Sequence, residues 1–285
     1  MIRVFVLVLV LVVIPIIGLI AGCTPQPDVP DHRTAAGVSR IVSINPCVDA
    51  VLMQIADPRQ IAGISHYSQD ARASSVPLAW ARRYRATSGT AEEVVALKPD
   101  LVIAGAHVAP STVAAVTQMG IPLVQIGVPA SIGESTDQIR TIANAIGQRR
   151  RGDALTRRIE TAVRAARTDH AERLSALIWQ GGGLVPGTGT LADEMLRVAG
   201  FFNISAGYGL KQWDVLPLEP LIARPPRVLL SVGANERDDR MLSHPVLDHL
   251  RDRIAVRRYP DRLLHCGGPT IIEAVAHLAR IRRSL

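Results

Sequence analysis

Two blocks of alternating strand and helix signals, set either side of a long proline-free stretch, constrain this chain more than any single residue does. The first block opens with Arg40, Ile41, Val42, Ser43 and Ile44, a short apolar run that reads as a buried strand. The turn Asn45, Pro46, Cys47 follows it. Val48, Val51, Leu52 and Ile55 then fall at i, i+3, i+4 and i+7, which is one face of a helix. Asp57 and Pro58 stop that helix. Strands are expected at 61–64, 101–104 and 121–126, with a helix near 111–119. The alternation restarts with a strand at 176–179, a glycine-rich loop at 181–189, and a helix with Ala192, Met195, Leu196 and Ala199 on one face. Strands at 228–232 and 254–259 and a helix at 270–283 complete it. Strands that alternate with helices imply parallel sheets and an α/β fold.

Between the blocks, 134–172 contains no proline and carries helical spacing through Ile139, Ile142, Ala143, Ile146, Leu155, Ile159, Ala162 and Val163. The spacing predicts one long helix, with a break near Gly147 to Gly152, joining a lobe at 38–133 to a second at 173–285. The apolar heptads are too few for a coiled coil. A chain of 285 residues with 48% hydrophobic content can give each lobe a core of its own.

A local echo relates the lobes. Glu92 stands seven residues before Pro99 and a buried strand, and Glu219 stands seven residues before Pro226 and a buried strand. An acidic residue at a helix start complements the helix dipole, which accounts for either glutamate alone. It accounts less well for a matched pair.

The N-terminus carries an export pattern. Arg3 precedes an apolar run at 4–22 that ends in Ile20, Ala21, Gly22 and Cys23. This is the charge, apolar run and small-residue order of a signal segment, and its end resembles the bacterial lipobox. A signal peptide at 1–22, lipidation of Cys23 and a flexible tether at 23–37 are expected, since diacylation makes a stable anchor. The competing reading is an uncleaved transmembrane helix, because the run is about long enough to span ~30 Å of hydrocarbon. Both place the rest of the chain outside the cytoplasm. The net charge of +7 does not indicate nucleic acid, because the arginines are scattered among acids and no binding motif accompanies them. No Walker loop, Gly-x-Ser-x-Gly elbow or His-Glu-x-x-His motif is present, so no enzyme is expected.

Several segments together resemble the periplasmic binding proteins for siderophores, haem and cobalamin. They are the opening strand from Arg40 to Pro46, the stretch 92–103 with Leu97, Lys98, Pro99 and Asp100, the stretch 187–196 followed by Ala199 and Gly200, and Trp213 with 216–219. The resemblance covers residue 40 to the C-terminus. It implies two Rossmann-like lobes joined by a single long backbone helix, a ligand in the cleft between them, and delivery to the permease dimer of an ABC importer. One glutamate on each lobe would dock on permease arginines. The matching positions are Glu92 and Glu219, with Glu93 as the neighbour that could serve instead.

In open α/β lobes ligands lie at the carboxyl ends of the strands. That rule nominates 45–47, 65–68, 105–107, 181–185, 233–236 and 265–268. Tyr67 lies in a stretch similar to cobalamin-binding members, where a tyrosine packs on the corrin; a solvated loop tyrosine is the plain alternative. His66 and His107 could coordinate a metal or bond an anionic ligand. Trp213 offers a flat face to a macrocycle or catecholate, whereas Trp179 lies inside an expected strand and reads as core. Trp80, with Arg82, Arg83, Tyr84 and Arg85, forms a basic-aromatic cluster placed near the cleft rim, suited to carboxylates or to solvent alike. Ala86, Thr87 and Ser88 stand where the cobalamin-binding pattern has a tryptophan, which turns the reading toward an iron complex, a ferric siderophore or haem. A corrinoid is the alternative cargo. Manganese/zinc-binding lipoproteins and sensory binding proteins without a transporter are further ones, although the eight dispersed histidines do not suit the metal-ion class.

Cys47 and Cys266 each follow an expected strand, one per lobe. Free or buried thiols, a disulfide in an oxidising compartment, and soft ligands to a metal or reactive cargo are all open readings. A monomer with no cofactor of its own is expected.

Overall fold

The three residues of β1 (Ile41–Ser43) are all buried, because the strand lies at the centre of a five-stranded sheet and is covered on both faces. Around it stand β2 (Ile61–Ser65), β3 (Ala86–Thr87), β4 (Leu101–Gly105) and β5 (Leu123–Ile126), in the order β3-β2-β1-β4-β5 and all parallel. This computed structural model describes residues 37–168, 172–232 and 253–285. The expected signal segment, Cys23, the tether up to residue 36 and the nominated loop 233–236 lie outside the described residues. Among the described residues no helix is long and apolar enough to cross a membrane.

The second lobe repeats the plan. Its sheet contains β6 (Leu174–Trp179), β8 (Phe201–Asn203), β10 (Val228–Val232) and β11 (Ala255–Tyr259) in the parallel order β11-β10-β6-β8. A separate antiparallel pair joins β7 (Leu184–Pro186) to β9 (Trp213–Val215). In each lobe the first strand pairs with the strand that follows the echoed glutamate segment, β1 with β4 and β6 with β10.

The first helix, α1 (Pro46–Ile55), begins two residues earlier than the sequence turn suggested. Asn45 caps it by accepting a hydrogen bond from the Cys47 N–H at 2.8 Å, and Pro46 suits the first helical position, where no N–H is needed. Short helices α2 (Leu78–Ala81) and α3 (Ala91–Ala96) and the longer α4 (Pro110–Gln118) complete the N-terminal lobe.

The linking stretch is two helices. The break falls at Ile146, Gly147 and Gln148, where Gly147 takes φ +71°, and it separates α5 (Ile132–Ala145) from α6 (Arg149–Ala166). The two lie side by side, which brings Arg140 within 3.8 Å of Glu160. Gly152 makes this approach possible, since a Cβ there would stand 2.4 Å from that of Ala143. Only α6 leads into the second lobe. It packs on α1, on α5 and on the terminal helix α9 (Thr270–Arg283). One apolar cluster runs through these contacts from Ile41 to Ile281, so the lobes share a core along the helices.

Candidate functional site

A cavity of about 1120 Å³ lies between the lobes, somewhat above the ~300–1,000 Å³ of ordinary small-ligand sites. It is lined by the ends of β4 and β5, by the starts of α1, α3, α4 and α7 (Leu191–Val198), by one face of α5, and by the segment 264–268 that leads into α9. The strand-end rule thus places it where the sequence does. Close backbone approach at this rim needs Gly105, where a Cβ would meet the Asn45 amide at 2.5 Å.

Tyr67 and His107 line the cavity from the N-terminal lobe, and both are exposed. His66 does not line it. Its ring packs on Tyr67 with centroids 4.0 Å apart, and its Nδ1 lies 3.2 Å from the Thr87 carbonyl, to which it donates. The turn that carries both residues is held from beneath by Asp49 of α1, which is wholly buried. Asp49 Oδ2 accepts from the Ser65 N–H at 3.0 Å and from the Ser68 hydroxyl at 2.6 Å, while its Oδ1 has no partner. Burial pushes this carboxyl up to about 7, against the lowering effect of its hydrogen bonds.

Trp213 lines the cavity from the second lobe on β9, a strand where the sequence suggested a loop. Tyr67 is 51% exposed and Trp213 46%, so each lobe presents one open aromatic face to the same space. The Trp213 strand is seated by Gly187, whose N–H donates to the Gln212 carbonyl at 2.6 Å. A Cβ at this glycine would stand 1.9 Å from the Lys211 carbonyl oxygen. The glycine-rich loop itself turns away from the cavity. Gly182 and Gly183 take φ +75° and +85° and fold the chain back into the β7–β9 pair, so 181–185 do not line the cleft and Gly189 and Thr190 do.

Cys47 and Cys266 form a disulfide with Cα atoms 5.1 Å apart, which decides among the readings left open above. Both half-cystines line the cavity, and His265 lines it beside them. Trp179 is buried core. Trp80 is set back from the cleft, its ring tilted against that of Tyr84 with centroids 4.9 Å apart and packed on the core; the basic-aromatic cluster does not line the cavity.

Glu92 and Glu219 are both exposed, each the second residue of a six-residue helix, α3 and α8 (Leu218–Ala223). Neither bonds any other described residue. Glu93 differs: its carboxylate accepts from the Ser88 N–H at 2.6 Å and from the Ser88 and Thr87 hydroxyls, which hold it below the usual carboxylate range. The Glu92 carboxylate has no such bonds among the described residues, and Glu92 also lines the cavity at its rim. Among the described lining residues there is no lysine or arginine, and no cluster of three metal-ligating side chains occurs among the described residues.

The sequence profile described as periplasmic binding protein matches residues 41–253. A cobalamin-binding protein of Halobacterium salinarum is 25% identical over 214 residues, 72% of this chain; the chain spans 56% of that relative's length. Among solved structures, the periplasmic haem-binding protein RhuT from Roseiflexus sp. RS-1 superposes with a TM-score of 0.72 at 25% identity. That match covers 87% of this chain and 99% of the other. The vitamin B12 binding protein BtuF of Vibrio cholerae shares the fold, with a TM-score of 0.68 at 16% identity, covering 85% or more of each chain (86% and 97%).

Proposed function

The chain belongs to the periplasmic binding protein family, a family of extracytoplasmic binding proteins and not of enzymes, and from that premise we propose that it binds a flat metal chelate between its lobes and delivers it to an ABC permease. The observation that carries the reading is the pair Tyr67 and Trp213, one open aromatic face per lobe on a cavity of about 1120 Å³. A planar macrocycle can lie against both, since aromatic faces favour offset stacking on extended π surfaces. Haem is the iron complex that fits best. A multiply anionic ferric siderophore calls for lysine or arginine around its charge, and the described lining offers neither; haem carries its two carboxylates on one edge, which can face solvent while the ring lies in the cavity.

A corrinoid is the second reading. The cobalamin-binding relative of Halobacterium salinarum favours it, as does the sequence around Tyr67. Lipidation of Cys23 would tether the protein beside the permease, and Glu92 and Glu219 would address its two subunits. The soluble part from Thr24 onward, titrated with haemin, ferric siderophores and cyanocobalamin, tests the cargo by tryptophan quenching and absorbance. Saturable binding of haemin is the expected result. Saturation by cyanocobalamin alone would select the corrinoid, and binding of none would overturn the chelate reading.

A further inference from the structure

We propose that the Cys47–Cys266 disulfide is a specificity-determining element of the cleft, a covalent stay that holds the two walls at one spacing so that cargo is chosen by fit to a preformed slot. The inference rests on the cargo reading above and deepens it. The two cysteines are 219 residues apart in sequence and belong to opposite walls. Cys47 sits in the first turn of α1, fixed by the Asn45 cap. Cys266 sits in the segment that leads into α9.

That segment is held at both ends. The Gly268 N–H donates to the Ser135 hydroxyl of α5 at 2.7 Å, and the Thr270 hydroxyl lies 2.6 Å and 2.7 Å from the carbonyls of Cys266 and Gly267. Gly267 has no room for a side chain: a Cβ would stand 2.7 Å from the Ser135 oxygen and 3.1 Å from Leu191 and Pro129. Neither half-cystine can therefore shift alone. Because both line the cavity, the bridge forms part of its surface and sets how far the walls can part beside it. A site ordered before the ligand arrives spends less of its binding free energy on ordering. It also discriminates between ligands of different thickness, since specificity is a difference of affinities.

The test compares the full chain, purified from an oxidising compartment, with the Cys47→Ala/Cys266→Ala variant, using haemin and cyanocobalamin as probes. In the wild type one probe should bind at least about tenfold tighter than the other. In the variant the tighter probe should lose about tenfold, and the ratio should fall to within about threefold. Constants unchanged within about twofold in the variant would overturn the proposal, as would a mass showing two free thiols in the wild type.

Should the variant fail to fold, the folded wild type can be treated with a water-soluble phosphine. The disulfide then takes up two electrons and two protons, and the phosphine is oxidised to its oxide with oxygen from water. A ligand-free readout keeps this inference separate from the cargo reading: non-thiol labels at the exposed positions Met119 and Lys211 report the distance between the walls. If neither probe binds the wild type, the cargo reading falls, and the labels still decide the role of the bridge. A distribution that broadens on reduction supports it, and an unchanged one overturns it.

Discussion

Glu92 and Glu219 occupy the same position of the same element in the two lobes. Each is the second residue of a six-residue helix that leads through a proline into the strand beside the lobe's first strand. Both carboxylates are exposed, and a rigid core joins the helices that carry the lobes. Two free charges fixed on one body suit a pair of basic pockets related by a two-fold axis. Exchange of either for arginine should slow association with the permease by about tenfold at low salt; Glu92 also lines the cavity, so only the Glu219 exchange should leave ligand affinity unchanged. The effect should shrink as ionic strength rises, because exposed charges are screened. Transport into vesicles beside ligand titration of the purified variants checks both halves. Glu93→Gln is the control, since that carboxylate is spent on Ser88 and Thr87.

Removal of an aromatic face should weaken binding without unfolding the protein. Tyr67 and Trp213 are half exposed, so little core packing depends on them. Tyr67→Ala and Trp213→Ala should each cost about 1 kcal/mol of binding, roughly fivefold in Kd. The double variant should lose about the product of the two, because the residues stand on different lobes and share no contact. Calorimetric titration with haemin measures all three. Melting temperatures equal to wild type would show that the loss is local.

Gly187, buried directly after β7, should prove hard to replace. The clash of an added Cβ is with backbone, the Lys211 carbonyl, which no side-chain rotation can relieve. Gly187→Ala should therefore push the β9 strand outward and displace Trp213. The expected result is a loss of haemin affinity at least equal to that of Trp213→Ala. A changed fluorescence maximum in the ligand-free variant would trace the cause to the tryptophan.

The sheet centres were legible because they are buried on both faces: β1, β4, β6 and β10 are near-continuous apolar runs, and such runs announce themselves. The terminal helix was legible to its boundaries at Thr270 and Arg283. The strands β7, β8 and β9 were not, since three residues carry no period. Their pairing depends on positive φ at Gly182 and Gly183, which only a chain already reversing would reveal. The same turn removed 181–185 from the cleft. Of the candidate site, the strand-end loops placed Tyr67, His107, Cys47 and Cys266 on the cavity. The pairing of the cysteines was not readable, because a bond across 219 residues is decided by how the lobes meet and not by spacing. Asp49 was missed altogether: it stands among the apolar residues of an amphipathic helix, and an acid at that position is the one available signal of a buried clamp.

Asp49 makes stability depend on pH in the direction opposite to an ordinary salt-bridged acid. Burial raises its pKa from near 3.8 to about 7, so the folded chain favours the protonated form. The stabilisation linked to this proton is complete below about pH 4, where the carboxyl is protonated whether the chain is folded or not. It declines as pH rises and is lost above about 7, with a slope of up to about 1.4 kcal/mol per pH unit between the two values. Asp49→Asn keeps an oxygen to accept from the Ser65 N–H and the Ser68 hydroxyl and removes the titration. The difference in unfolding free energy between variant and wild type should therefore grow in favour of the variant from pH 5 to pH 8. Glu93, Asp100 and Glu273, whose pKa values are lowered, stay ionised across that window and do not mask it. Urea unfolding at half-unit intervals gives the two curves. Parallel curves would show that folding does not raise the pKa of Asp49 and would overturn this account.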